Sequence, residues 1–298
     1  MELIQGIDKY HHTADTIVTL GKFDGLHRGH QRLLRKVESL TTQDTYSVMV
    51  SFDFHIISLL TYEERMQRLE DHIHYLLWVP FDDVIKSMTA FMFIQEVLVN
   101  RLHAKHIVVG SDYRFGEYRS GDVQLLKQYA DTYGYTVHIV DKACYQRQEI
   151  SSSRIKQSLD QGRIQEANAM LGYAFPMHGV VEHGRKLARK LGFPTLNFSV
   201  PELKFVPKYG VYYAKVSFFN AIFDGLVNIG MKPTVTEERK LLVEVHVFDE
   251  DIEGYDALIG VELVEFIRPE KRFSTIEELK EQISRDTCYI REKYLYNS

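Results

Sequence analysis

Apolar and polar positions alternate along the chain in two rhythms that change near Gly172. Before that point, short apolar runs rich in β-branched residues alternate with stretches whose apolar residues recur at three and four. Thr16–Leu20 and Tyr46–Phe52 read as buried strands. Gln31–Leu40 between them reads as a helix presenting Leu33, Leu34, Val37 and Leu40 on one face. Tyr62–Leu76 keeps the helical period through Met66, Leu69 and Ile73. Leu77–Pro80, His106–Gly110 and Tyr135–Val140 read as further strands, with helices near Ala90–Leu102 and Asp122–Tyr133. Strands alternating with helices predict a parallel sheet with crossover helices, an open α/β layer of Rossmann-like type. Such sheets bind ligands at the carboxyl ends of their strands, where the strand order switches.

After Gly172 the helical period disappears. His178–Glu182, Val211–Phe219, Ile222–Asn228, Leu241–Phe248 and Leu258–Phe266 read as strands, and Asn220-Ala221 as a short hairpin turn. Consecutive strands with short turns predict an antiparallel sheet or barrel. A last helix starts at Ser274 with Glu277 completing a capping box, and its Leu279, Ile283 and Ile290 cover one side of the barrel. The expectation is an α/β unit over residues 1–172 and an all-β unit over 173–298.

Composition sharpens this picture only a little. A length of 298 residues suits two domains of ~150. A 45% hydrophobic and 26% charged chain can bury ordinary globular cores. With 36 Lys+Arg against 41 Asp+Glu, the net charge of −5 argues against a broad nucleic-acid surface while leaving room for a small basic pocket. Cys144 and Cys288 are too few for a disulfide framework or a cysteine metal site. The first twenty residues carry Glu2, Asp8, Lys9 and Asp15, unlike a signal peptide, and no apolar run reaches the ~18–20 residues that span a bilayer. A cytoplasmic protein without a membrane partner is expected.

The candidate chemistry begins where the first strand runs into Gly21-Lys-Phe-Asp-Gly-Leu-His-Arg-Gly-His30. Glycines at 21, 25 and 29 let the backbone approach a ligand, and a helix beginning at about Arg28 offers free N–H groups to a phosphate. His27 and His30, three apart, can both face one anion. An H-x-x-H pair alone is more often two exposed histidines or a chance metal pair, but the strand–glycine–helix setting favours the phosphate. Further on, Ile150-Ser-Ser-Ser-Arg154 opens a helix through Ile155 and Leu159. A plain serine N-cap explains one serine but not the string. Three hydroxyls, Ser152 and Ser153 among them, with the Arg154 guanidinium form a second anion cradle. Two cradles suggest adenylyl transfer from ATP with release of pyrophosphate. A phosphate acceptor is already anionic, so this chemistry needs alignment and charge stabilisation rather than a base.

The His-x-Gly-His element resembles that of the class I nucleotidylyltransferase and aminoacyl-tRNA synthetase superfamily, and the chain lacks the Lys-Met-Ser-Lys-Ser loop of a synthetase. Together with Val109-Gly-Ser-Asp-Tyr-Arg-Phe-Gly116 and Ile-Ser-Ser-Ser-Arg, it resembles the prokaryotic bifunctional riboflavin kinase/FAD synthetase family. The second half agrees through Leu191-Gly-Phe-Pro-Thr-Leu-Asn197, Gly210-Val-Tyr, Asn228-Ile-Gly-Met-Lys-Pro-Thr234, Glu244-Val-His and Arg268-Pro-Glu-Lys-Arg-Phe273. The resemblance covers nearly the whole chain. It implies phosphorylation of riboflavin to FMN by the C-terminal module and adenylylation of FMN to FAD by the N-terminal one, with ATP as co-substrate and Mg²⁺ as cofactor. It further implies that Thr195 and Asn197 hold the metal and that Glu244 is the catalytic carboxylate. Gly21, Phe23, Gly25, Asp112, Gly184 and Arg185 fall on nucleotide-binding positions, the last two in a basic flap, Gly184-Arg-Lys-Leu-Ala-Arg-Lys190. A proton-accepting carboxylate suits the neutral 5′-hydroxyl of riboflavin. Taken without the resemblance, Glu244 reads as an outward residue of an alternating strand, and the flap as a solvated turn equally well.

The chain departs from the family pattern chiefly in Phe52-Asp-Phe-His-Ile56, where Phe-x-Pro-His-Pro is usual. Prolines rigidify a loop by fixing φ, so their loss implies a reshaped pocket in the first module. Ala188, Leu196, Lys232 and Asp256 are smaller departures, the last replacing a glycine. Two competing readings follow from the altered loop: one working module, the kinase, or a flavin-binding regulator without turnover. The paired histidines His11-His12, His72 with His74, and His103 with His106 read as surface or helix-end residues.

Overall fold

The computed structural model describes residues 1–182, 194–233, 239–248 and 254–296. Packing divides the chain into two compact units, Met1–Ser152 and Ser153–Ser298.

The first unit is built on one parallel sheet of six strands. These are β1 (Glu2–Gln5), β2 (Thr16–Gly21), β3 (Tyr46–Asp53), β4 (Tyr75–Pro80), β5 (Ala104–Gly110) and β6 (Thr136–Val140). Their spatial order is β1-β4-β3-β2-β5-β6, every pair parallel. β2 therefore has β3 on one side and β5 on the other, and the chain leaving it enters the crevice where the order reverses. Val18, Val48, Met49, Val50, Ile107, Val108 and Val109 are fully buried, because helices cover both faces of such a sheet. Helix α1 (Arg28–Leu40) buries Leu33, Leu34 and Val37, as its period predicts.

Two expectations need correction here. The helix predicted over Tyr62–Leu76 is α2, Tyr62–Leu69, and it stops in a turn in which His72 N–H bonds the Leu69 carbonyl. Tyr75 and Leu76 belong instead to β4, where they pair with β3 and β1. Strand pairing across the sheet outweighs a local helical period. β1 was not predicted at all. The helical stretch near Ala90–Leu102 is α-helical over Ala90–Met92 and π-helical over Phe93–Arg101, burying Phe93, Ile94, Val97 and Leu98.

In the second unit, helices α3 (Ser152–Asp160) and α4 (Ile164–Leu171) precede a closed antiparallel barrel. The Asn168 side chain ties α4 to that barrel, donating to the Leu263 carbonyl at 2.8 Å and accepting from Phe175 N–H at 2.9 Å. This is why the packing division falls at Ser152/Ser153 while the change of sequence rhythm falls at Gly172. The barrel strands are β7 (Phe175–Glu182), β8 (Leu196–Ser199), β9 (Gly210–Phe218), β10 (Ala221–Pro233), β11 (Arg239–Val247) and β12 (Leu258–Arg268). They close in the order β7-β8-β11-β10-β9-β12. Val243, Val245, Phe198, Val227 and Ile229 are fully buried and fill the interior, so the residues between them face outward. At the β9–β10 turn Phe219 and Asn220 take left-handed φ of 44° and 62°, the conformation that matches strand twist in a tight hairpin. The terminal helix α5 (Ile276–Ile290) packs Ile283 and Ile290 on Val211, Tyr213 and Leu226. Its cap lies one residue beyond the expected one: the Thr275 hydroxyl accepts from Glu278 N–H at 3.2 Å, and the Glu278 carboxylate accepts from Ser274 N–H at 2.9 Å.

Candidate active sites

In the first unit the chain leaves β2 at Gly21 and turns through Lys22–Leu26 into α1. Phe23, Gly25 and Leu26 take left-handed φ of 49°, 80° and 37°, which only glycine adopts without cost. Hydrogen bonds from distant segments hold this loop in place. Arg65 Nη1 and the Ser51 hydroxyl donate to the Lys22 carbonyl at 3.2 and 3.4 Å. Leu59 N–H donates to the Asp24 carboxylate at 2.6 Å, and the Ser152 hydroxyl to the Asp24 carbonyl at 2.8 Å.

His27 caps α1, and its ring stacks on that of His30 with centroids 3.7 Å apart and planes at 15°. The Phe23 ring meets His30 edge-on at 5.2 Å. A Cβ at Gly29 would stand 3.1 Å from the His27 ring, so a side chain there would press on that imidazole. Burial lowers His27 to about 4 although the Asp24 carboxylate pulls it upward. His30 lies well below the ordinary histidine value, through burial first and then through His27 and the Arg65 guanidinium. Both imidazoles are thus neutral at neutral pH. Their Nδ1 atoms are shielded and have no hydrogen-bond partner among the described residues. Shielded, unpartnered ring nitrogens at a helix N-terminus are uncommon in folded chains and mark this turn as a candidate site. Beside the loop, at the carboxyl ends of β3 and β4, the Phe54 and Phe81 rings lie 4.3 Å apart, and the Lys22 ammonium sits 4.3 Å from the Phe54 centroid.

The structure thus brings Gly21, Phe23, Gly25, His27, His30 and Ser152 together. Asp112, after β5, is exposed, with its carboxylate 3.1 Å from Lys142, which also pairs with Glu149 at 2.7 Å. Ser153 is exposed at the start of α3. Arg154 belongs to the second unit, where its guanidinium lies 3.5 Å from Glu166 of α4.

In the second unit, β8, β11 and β10 run side by side, and their register sets Asn197 opposite Glu244 and Glu244 opposite Asn228. All three face outward, forming one polar row across three strands. The Asn228 amide donates to the Glu244 carboxylate at 3.0 Å, which fixes the acid on the strand surface. Asn197 Oδ1 is buried with no hydrogen-bond partner among the described residues. A shielded, unsatisfied hard oxygen fits a Mg²⁺ ligand, and Thr195, two residues earlier and half-buried, carries a second hard oxygen. His246 Nδ1 lies 3.0 Å from the Pro194 carbonyl, holding this segment against β11. Arg268 bonds Asp286 of α5 at 2.8 Å, so the Arg-Pro-Glu-Lys-Arg-Phe motif is anchored to the terminal helix. Gly184 and Arg185, like Ala188, lie outside the described residues.

Sequence reasoning missed Asn228 and Arg65. Asn228 stood inside a quoted motif, and its alternation with Val227 and Ile229 marks it as outward-facing. Arg65 gave only a faint signal, a cation one residue after the Thr61–Glu64 capping box. Two of the histidines read as surface or helix-end residues have polar partners: His74 Nδ1 lies 2.8 Å from the Ser47 hydroxyl, and His106 lies 3.1 Å from His138.

The sequence matches the FAD synthetase family model over residues 9–154 and the riboflavin kinase family model over residues 171–294. A bifunctional riboflavin kinase/FMN adenylyltransferase of Escherichia coli (strain K12) is 36% identical across 98% of this chain and 97% of its own. Proteins of the same name from Buchnera aphidicola (subsp. Schizaphis graminum) and Bacillus subtilis (strain 168) are 35% and 33% identical. They cover 96% and 92% of this chain, and 96% and 90% of their own. The crystal structure of a macrolide-efflux protein from Streptococcus pneumoniae superposes with a TM-score of 0.88 at 27% identity, over 98% of this chain and 99% of that one. Among the described residues here, no helix is long and apolar enough to cross a membrane. With both modules matched in order and relatives aligned end to end, the chain belongs to the bifunctional riboflavin kinase/FMN adenylyltransferase family.

Proposed function

We propose that the chain phosphorylates riboflavin to FMN in its second unit and adenylylates FMN to FAD in its first, each reaction using ATP and each supported by Mg²⁺. The observation that carries this reading is that each unit holds its own preset groups: the stacked neutral imidazoles on the glycine loop, and the Asn197–Glu244–Asn228 row on the barrel.

In the kinase reaction the riboflavin 5′-oxygen bonds to the γ-phosphorus of ATP, the bond from that phosphorus to the β-bridging oxygen breaks, and ADP leaves. Glu244 accepts the hydroxyl proton, a role for which its bond from Asn228 sets the orientation. The Asn197 carboxamide oxygen and the Thr195 hydroxyl would hold Mg²⁺, which when bound neutralises charge on the ATP phosphates. Gly184 and Arg185 are assigned to those phosphates in this reading.

In the adenylyl transfer an FMN phosphate oxygen bonds to the α-phosphorus of ATP, and pyrophosphate leaves. No proton must be removed, so this transfer needs no general base. His27 and His30 present ring nitrogens to the phosphates, the first turn of α1 adds its N–H groups, and Gly21, Phe23 and Gly25 shape the approach. Ser152 and Asp112 complete the nucleotide site in this reading. Phe54 and Phe81 offer an aromatic surface on which a flavin ring can stack.

The test is product analysis by chromatography with riboflavin and FMN as separate substrates, each with Mg-ATP. The expected result is FMN and FAD from riboflavin, and FAD from FMN. His30→Ala should leave FMN to accumulate. Protein that converts neither substrate overturns the reading, and FMN formation without any FAD overturns its second half.

A further inference from the structure

Arg65 has no part in the roles above, yet its setting is unusual. Arginine is rarely buried, and Arg65 is only 4% exposed. Its Nη1 donates at once to the Lys22 carbonyl, 3.2 Å away, and to the Ser51 hydroxyl, 2.8 Å away. Its guanidinium lies over the Trp78 indole, 4.7 Å from the ring centroid. The indole Nε1–H donates to Asp53 Oδ2 at 3.2 Å, and Asp53 Oδ1 accepts from His55 N–H at 2.8 Å. His55 itself takes a left-handed φ of 49°. A continuous path thus runs from the glycine loop through Arg65 and Trp78 to the Asp53–Ser58 loop.

We propose that Arg65 is the positioning residue of the adenylyl-transfer site, joining the Lys22–Leu26 loop and the Asp53–Ser58 loop so that both walls are held by one guanidinium. The inference rests on the reading that FMN adenylylation takes place at His27 and His30. On one side, fixing the Lys22 carbonyl fixes the left-handed turn at Phe23, whose ring sets the edge of His30 and so the imidazole stack. On the other side, the indole and the Asp53 carboxylate hold a loop in which prolines would otherwise restrict φ. The planar guanidinium is needed because it stacks and donates together, which an ammonium does not do. Displacing a reacting group by ~1 Å costs about a hundredfold in rate, so even small relaxation of either wall is measurable.

The experiment measures kcat and KM for FAD formation from FMN and Mg-ATP, with riboflavin phosphorylation by the same preparations as the internal reference. The variants are Ser51→Ala, Arg65→Lys, their combination, and His30→Ala. Ser51→Ala and Arg65→Lys should each lower kcat for FAD formation about tenfold, with KM for ATP and FMN within about twofold and riboflavin phosphorylation unchanged. The double variant should be no slower than Arg65→Lys, because both changes release the same carbonyl. Ser51→Ala removes one oxygen atom and keeps the test independent of how Arg65→Lys folds. An unchanged kcat in Ser51→Ala, losses that multiply in the double variant, or a loss confined to KM for ATP each overturns the proposal. The last outcome would make Arg65 a substrate-binding group. If His30→Ala still forms FAD at the normal rate, the underlying reading of the site fails instead.

Discussion

The stacked imidazoles make the stability of the first unit depend on pH in a way that can be calculated. Two rings 3.7 Å apart and shielded from water cannot both carry charge, and burial lowers His27 to about 4. In the unfolded chain the same group titrates near 6.5. Between those values the unfolded state binds more protons than the folded one, so stability rises with pH through the window. The contribution is complete above about 6.5 and is lost as pH falls toward 4. From the two values, moving from about pH 8 to about pH 5 removes about 2 kcal/mol through His27 alone, and about 3 kcal/mol is gone once both states are protonated. His27→Gln deletes the titrating group, so the variant should lose about 2 kcal/mol less than the parent over the same interval. Trp78 is the only tryptophan in the sequence and lies in the first unit, stacked under Arg65. Its fluorescence during urea unfolding therefore follows this unit, which matters because a two-unit chain need not unfold in one step. Parallel pH dependences for parent and variant, agreeing within about 0.5 kcal/mol, would refute the claim that the pair is held neutral by burial.

Three further outcomes are expected. ATP binding near neutral pH should draw protons onto the imidazole pair, because an arriving phosphate offsets the burial that keeps them neutral. Calorimetric titrations in buffers of different ionisation enthalpy should show proton uptake that disappears in a His27→Gln, His30→Gln variant. Glu244→Gln should keep the bond from Asn228 but lose the basic oxygen, lowering kcat for riboflavin phosphorylation about 10²- to 10⁴-fold while FAD formation from FMN is unchanged. Asn197→Ala should raise the Mg²⁺ concentration needed for half-maximal riboflavin phosphorylation about tenfold or more, whereas an unchanged requirement would remove Asn197 from the metal site.

The sheet and barrel were legible because burial imposes a period that short segments display. β2, β3 and β5 are buried on both faces and appear as continuous apolar runs, while the barrel strands alternate. Legibility failed where a distant partner chose between local alternatives. Ile73 extends the helical spacing of α2, but Tyr75 and Leu76 have strand partners on both sides. β1 is four residues at the sheet edge, half of them polar, and only its pairing with β4 identifies it. At the last helix two overlapping Ser/Thr-x-x-Glu patterns competed, and the second captures the free N–H groups.

At the proposed sites, the groups assigned to substrate are displayed in the sequence and those that hold them are hidden. His27, His30, Asn197 and Glu244 sit in compact motifs. Arg65 reaches a carbonyl 43 residues away in the chain, and Asn228 meets Glu244 only through barrel register. That asymmetry bears on the altered Phe52-Asp-Phe-His-Ile56 segment, which on sequence argued for a weakened adenylyltransferase. A loop without prolines need not be a loose loop. Here Asp53, at the variable position of the motif, has a carboxylate that receives the His55 N–H on one oxygen and the Trp78 indole on the other. A proline restricts φ by covalent closure, which solvent cannot undo, whereas two hydrogen bonds restrain the same turn only while Trp78 and Arg65 keep their places. The expected consequence is therefore a change in what the loop depends on rather than a loss of order. Trp78→Phe preserves an aromatic surface for Arg65 but removes the indole N–H. It should lower kcat for FAD formation from FMN severalfold at nearly constant stability of the first unit, which a loop already loose in the parent would not do.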